Sequence, residues 1–292
     1  MIRRVRQLYH NDGVVRVLWG VNDYIQNHLF TSLSGFLSGD LIWEKDWDVL
    51  CILDGCRVDT FRNVYDRNCE SLTSVGSTSS EWIQSTFVNQ QYQDLSEVGY
   101  ISANPHASNL DPDQFGELCL VGVQETDYGV ETVPPDVLTD LAINCWHNRD
   151  DISRLVVHYM QPHVPFRSRP EWFTSNVGED SWGADIWKQI RYDLDREALF
   201  EAYRDNLDWV LGEDGITTLI NSIDAKVALT ADHGNAAGEW NVYGHPFGAP
   251  TKEVRHVPWA EISANKSSGY STSEVDVKDF DAEEQLDALG YK

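Results

Sequence analysis

The sequence predicts an α/β fold: a mostly parallel central sheet flanked by helices. Three observations carry this. Several nearly continuous apolar runs have strand length, as in strands buried on both faces. Stretches with helical patterning separate them, the order that builds βαβ units. Three polar clusters stand just past the ends of apolar runs, at Asp54, after Met160 and at Asp232, the edge of such a sheet where ligands bind.

Taken in order, MIRRVRQLYHNDGVVRVLWGVNDYIQNHLF opens the chain with Arg3, Arg4, Arg6 and Arg16 and no continuous apolar core, so it does not read as a secretion signal. A cytoplasmic location is the resulting expectation. The segment has two readings, a helix resting on a membrane surface as a peripheral contact and a helix packed on the domain; the second is preferred. WDVLCIL (47–53) is the first buried strand, ending at Asp54, and 58–66 reads as the helix after it. In SVGSTSSEWIQSTF (74–87), Thr78 and Glu81 fit a T-x-x-E capping box, with a helix beginning near Glu81. EVGYISA (97–103) and ELCLVGV (117–123) are further strands. Pro134 and Pro135 open a helix over 135–149, RLVVHYM (154–160) is a strand, and helices follow over about 184–211 and 215–223. KVALTA (226–231) is the last clear strand, ending at Asp232. A polar tail starts near Ser263 and ends in a short helix. The whole chain, 1–292, reads as one domain with a helical N-terminal extension over about 1–42.

The chain has 292 residues, 22 Lys and Arg against 47 Asp and Glu, and a formal charge of −25. That balance excludes a nucleic-acid binder, which needs basic surface to neutralise phosphates. No apolar window is long enough for a membrane-spanning helix. Only 7 of the cations are Lys; an acid-rich, Lys-poor surface stays hydrated in concentrated salt, so a halophilic origin is expected. The five cysteines, Cys51, Cys56, Cys69, Cys119 and Cys145, form no CxxC pair and suggest neither a disulfide framework nor a thiolate metal site.

The chemistry-bearing residues fall in four segments. In TADHGNAAGEWNVYGHP (230–246), Asp232 and His233 follow a strand, with Glu239 and His245 beyond. Carboxylate and imidazole together suit Zn²⁺ or Mn²⁺, and carboxylates alone a harder ion; the plainer alternative is a capped turn. In LDGCRVD (53–59), a carboxylate at Asp54 ending an apolar strand needs a partner, either a metal or Arg57. In the third segment, Ser77, Thr78 and Ser79 either cap a helix or supply a nucleophile beside an anion-binding helix start. In HYMQPHVPF (158–166), Pro162 and Pro165 hold the loop extended and His163 faces metal or substrate, while His158 is equally a satisfied core histidine or a site residue.

In combination and order, these motifs resemble the alkaline phosphatase/sulfatase superfamily. More closely, they resemble the sulfatase-like hydrolase/transferase proteins of haloarchaea, for which W-D-x-L-x-I-L-D-x-C-R-x-D and T-A-D-H-G are typical; the resemblance spans about residues 43–260. It implies an alkaline-phosphatase-like fold and one or two divalent metals at the sheet edge, Zn²⁺ or Mn²⁺ ahead of Mg²⁺ or Ca²⁺. Asp54, Asp232 and His233 would bind one metal together with the nucleophile. That residue is placed at Ser79, with Thr78 second and Ser77 third. His245 and His163 would face a second metal or the anionic group, with Glu239 in support. The implied function is a hydrolase or transferase acting on a phosphate or sulfate ester, free or on a glycan or lipid; the alternative is a non-catalytic interaction protein on the same fold. Two departures stand out. No cysteine has the C-x-P-x-R context of a formylglycine, and the arginine that follows the sulfatase nucleophile is missing, leaving Arg57, Arg167 or Arg169 to clamp an anion.

Overall fold

The structure, a computed structural model, describes residues 2–35, 37–65, 69–89, 94–173, 186–192, 194–267, 269–273 and 280–281, with backbone alone over 2–16. In chain order the central strands are β1 (Val49–Leu53), β2 (Glu70–Thr73), β3 (Val98–Ser102), β4 (Glu117–Leu120), β5 (Arg154–Tyr159), β6 (Ala225–Thr230) and β7 (His256–Ala264). The helices used below are α1 (Ile2–Ser34), α2 (Val58–Val64), α3 (Ser79–Ile83), α4 (Pro135–Asn148), α5 (Ile186–Gln189), α6 (Arg196–Leu211) and α7 (Ile216–Ser222).

The seven strands form one mixed sheet in the order β2-β7-β6-β1-β5-β3-β4. Its parallel part has β1 at the centre, with Leu50 opposite Val156 of β5 and Ala228 of β6. β5 pairs with β3 and β3 with β4, also in parallel. All five residues of β1 are buried, which is why an uninterrupted apolar run is needed there: helices cover both faces of a parallel sheet.

Two strands have no counterpart in the expectations. β7 runs antiparallel to β6 and carries the antiparallel edge strand β2. β7 contains Pro258 and exposed Glu261, and β2 is short and half exposed. Neither shows the apolar run of a doubly covered strand; Pro258 is tolerated because it lies toward the sheet edge, opposite Ser71 of β2. The polar tail therefore begins after Ala264, and the short helix expected at its end lies outside the described residues apart from 280–281. The long helix expected over about 184–211 is two helices, α5 and α6, because Asp195 caps a new start by accepting from the N–H groups of Glu197 and Ala198. The first residues of that stretch, 184–185, lie outside the described part.

Most of the core is one cluster around the sheet. A second apolar cluster joins Phe166, Trp187, Leu199 and Tyr203, and a third holds Phe30 of α1 against Ala236, Val242, Ala249 and Val254. Arg191 adds a bidentate pair with Asp23 of α1 at 2.8 Å for each oxygen, so α1 packs on the body. No helix among the described residues is long and apolar enough to cross a membrane.

Candidate metal centre

The site gathers at the C-terminal edge of the parallel strands. β1 delivers Asp54, β6 delivers Asp232 and His233, β5 carries His158 and leads to His163, and the chain after β3 brings Asn104. Asp54, Asp232, His158 and His233 are fully buried. The turn after β1 depends on glycine: Gly55 has φ +64°, and a Cβ there would lie 2.8 Å from Asn235 Nδ2. Its N–H and that of His233 both donate to Asp232 Oδ1, at 3.0 and 2.9 Å. Asp232 Oδ2 is left without a hydrogen-bond partner, as is Asp54 Oδ1. Asp54 Oδ2 instead accepts from Asn104 Nδ2 at 2.5 Å and faces Ser79 Oγ at 3.4 Å.

His233 is oriented by its other ring nitrogen. Nδ1 lies 2.9 Å from the Gly234 carbonyl, an acceptor only, so Nδ1 carries the proton and Nε2 presents a lone pair. That lone pair faces Ser79 Oγ at 3.3 Å, Asp232 Oδ2 at 3.5 Å and Asp54 Oδ1 at 3.9 Å. One ligand atom each from Asp54, Asp232 and His233 lies within 4.8 Å of the others. Two buried carboxylate oxygens without partners, converging on an imidazole lone pair, are costly unless a cation joins them. Oxygen and nitrogen donors in this number fit a divalent ion such as Zn²⁺ or Mn²⁺.

The hydroxyl cluster is sorted by contact. Thr78 is the N-cap of α3, its Oγ1 accepting from Glu81 N. Ser77 Oγ donates to Glu81 Oε2 and accepts from Ala249 N at 3.2 Å. The capping box is thus half formed: the Glu81 carboxylate passes Thr78 and accepts from the backbone N–H groups of Ser77 and Gly248. Ser79 alone of the three has its hydroxyl against Asp54 and His233.

The His245 and His233 rings have centroids 4.3 Å apart with planes tilted by 30°, and the His163 ring meets His245 edge-on at 5.7 Å between centroids. The loop carrying His163 is a turn rather than an extended segment: His163 N donates to Met160 O, and both prolyl peptides, at Pro162 and Pro165, are cis. Burial, and then neighbouring histidine charge, holds His245 well below the ordinary imidazole range. Burial also lowers His163, only partly offset by Asp54. Both are therefore neutral at pH 7. Burial alone would raise the Asp54 carboxyl; the ring of His158 beside it, with those of His163 and His233, outweighs burial and holds the carboxyl below its ordinary range.

None of the three arginines considered as an anion clamp has its guanidinium on these groups. Arg57 donates to Asp59 and to Asn235 O and pairs with Glu239 at 3.2 Å. Arg167 pairs with Asp205 and lies over Trp209, and Arg169 lies over Trp172. Glu239, on Arg57 and Arg196, stands outside the carboxylate–histidine cluster. Asn104 is the site residue that the sequence reading missed. Its Oδ1 accepts from His106 N as an ordinary loop cap, which is how it reads in sequence; its place one residue beyond Ala103, at the end of an expected strand, was the available signal.

No protein-family profile matches the chain, and a search of curated proteins finds no similar one. Among solved structures, the chain is similar to the C-terminal periplasmic domain of phosphoethanolamine transferase EptC from Campylobacter jejuni, with 16% identity over 73% of this chain and 78% of that one and a TM-score of 0.49. It is similar to the corresponding domain of EcEptC from Escherichia coli, determined in complex with Zn, with 12% identity over 79% and 76% and a TM-score of 0.45. It is also similar to BT4656, determined with its substrate D-glucosamine-2-N,6-O-disulfate, with 15% identity over 84% and 76% and a TM-score of 0.42.

Proposed function

We propose that this chain is a metal-dependent enzyme that hydrolyses or transfers a phosphate or sulfate ester through Ser79. The observation that carries this is the meeting of Ser79 Oγ, the Asp54 and Asp232 carboxylates and the His233 Nε2 lone pair in one buried cluster. The motif resemblance to the alkaline phosphatase/sulfatase superfamily supports the same reading. Asp54, Asp232 and His233, with Ser79, would hold the ion. When bound, a divalent ion polarises the ester and favours the alkoxide form of a neighbouring hydroxyl.

The chain's own groups do the rest. Asp54 Oδ2 accepts from the Ser79 hydroxyl and orients it for attack on phosphorus or sulfur. That attack forms a serine ester as the bond to the leaving oxygen breaks, and the proton given up by Ser79 ends on that oxygen, so the group departs as an alcohol. Water, or a second alcohol in a transferase, then attacks the serine ester and frees Ser79. His163 and His245, held neutral, hydrogen-bond the anionic oxygens without adding charge. The cavity beyond His245, about 330 Å³ and walled by Gln26, Asn27, Lys188, Arg191 and Tyr243, receives the remainder of the substrate.

The test pairs metal content with turnover of 4-nitrophenyl phosphate and 4-nitrophenyl sulfate. The protein is expected to hold stoichiometric divalent metal, and Asp232→Asn to lose both metal and turnover. Ser79→Ala should abolish turnover, and the covalent adduct should map to Ser79 by mass spectrometry. Thr78→Ala should lose about 1 kcal/mol of stability as a missing N-cap and stay active. No metal and no turnover in the wild type would leave a non-catalytic interaction protein.

A further inference from the structure

Behind the cluster, Tyr100 of β3 and His158 of β5 are both fully buried. The phenol oxygen lies 2.8 Å from His158 Nδ1. The other ring nitrogen, Nε2, has no hydrogen-bond partner and faces Asp54 Oδ2 at 3.5 Å and Asp232 Oδ2 at 3.8 Å. The edge of Trp82 closes against the same ring at 5.8 Å.

An imidazole can place an N–H on either ring nitrogen, so two arrangements of the His158 ring toward its neighbours are to be compared. With the proton on Nδ1, the ring would donate to the phenol and point an Nε2 lone pair at two carboxylates. With the proton on Nε2, Tyr100 donates to Nδ1 and the N–H dipole points at the carboxylates. Only the second arrangement is electrostatically favourable in a buried, weakly screened site. Burial keeps the Tyr100 phenol protonated, hence a donor.

We propose that Tyr100 and His158 are a positioning pair for the metal ligands: Tyr100 fixes the Nε2–H tautomer of His158, and His158 holds the Asp54 carboxylate with Oδ1 turned toward His233 Nε2. His158 is thus a positioning residue and not itself a ligand. The inference rests on the metal reading of Asp54, Asp232 and His233. Outer groups that orient metal ligands in this way typically change affinity 10- to 100-fold when removed.

The experiment is competitive Zn²⁺ titration against a chelator, with circular dichroism to verify folding. His158→Leu is expected to bind Zn²⁺ about 10- to 100-fold more weakly than wild type. His158→Gln, whose amide N–H reaches to a similar position, should recover most of the loss. Tyr100→Phe should weaken binding less, and Tyr100→Phe/His158→Leu should match His158→Leu alone, because the phenol acts only through the ring. Long-range ¹H–¹⁵N spectra of the folded wild type should show the Nε2–H tautomer of His158 before and after Zn²⁺, with Tyr100→Phe shifting it toward a mixture. Wild-type affinity in His158→Leu, additive losses in the double variant, or loss of the Nε2 proton on Zn²⁺ binding would each overturn the proposal while leaving the metal site standing. A wild type that takes up no Zn²⁺ overturns both.

Discussion

His106, His163 and His245 are kept neutral chiefly by burial, and this has a cost in acid. Each has a folded-state pKa below its unfolded value. As pH falls below about 6.5, the unfolded chain takes up protons that the folded one refuses, and stability falls by at most about 1.4 kcal/mol per pH unit for each group. Asp54 and Asp59 have depressed carboxyl pKa values; their contribution is full above the ordinary carboxyl range and fades only below about pH 4. Between pH 7.5 and 5.5 the histidines therefore dominate. The urea midpoint of the metal-free protein should drop across that interval, and His245→Gln should flatten the drop; a midpoint indifferent to pH would contradict the assignment. At this scale, sequence showed most where polar residues follow apolar strands: Asp54, Asp232 and His233 need partners wherever they sit. Ser77, Thr78 and Ser79 were ordered, with Ser79 first, only through the motif resemblance, since one helix start uses all three hydroxyls and only three-dimensional contact tells cap from cluster. Asn104 was hidden because its cap accounts for one end of the amide and leaves the other unread.

Elements were legible in proportion to how completely they are buried. β1, β5 and β6 are apolar runs because both faces are covered, whereas β2 and β7, partly exposed and antiparallel, carry Pro258 and charged residues that mask them. The helix α1 shows a different limit: its sequence admits both a surface-resting and a packed helix, and the contacts that decide lie far along the chain. Phe30 enters an apolar pocket with Val242 and Val254. Arg191, 4% exposed, clamps Asp23 and lies 4.2 Å over the Tyr243 ring. Truncating one member of such a buried pair leaves the other uncompensated and costs about 3–5 kcal/mol when burial is complete; Asp23 is one-third exposed, so about 1–2 kcal/mol is the expected share. Arg191→Met should therefore loosen α1 before it unfolds the domain. Hydrogen exchange should rise over residues 17–34 with little change in β1 and β6. Uniform acceleration through the sheet would show that α1 is part of the same cooperative unit.

For the molecule as a whole, the dominant quantity is charge. With 22 cationic side chains against 47 carboxylates, pairs such as Arg149 with Glu117 and Asp151, Arg204 with Glu197, and Lys226 with Asp46 can engage only a minority of the acids. Salt acts on two opposing terms. It weakens these exposed pairs, each worth about 0–1 kcal/mol, and it screens repulsion among all the unpaired carboxylates. The screening length falls from about 10 Å at 0.1 M to about 3 Å at 1 M, so repulsion between charges farther apart than that is largely removed. Repulsion involves more groups, and its relief should win. The urea midpoint should rise steeply from 0.05 to 1 M KCl, with most of the gain below 0.5 M where screening saturates. Sucrose, which stabilises compact states without screening, should not reproduce that shape. A midpoint that falls or stays level as KCl rises would mean that the acids are locally compensated, and would remove the basis for reading the composition as an adaptation to concentrated salt.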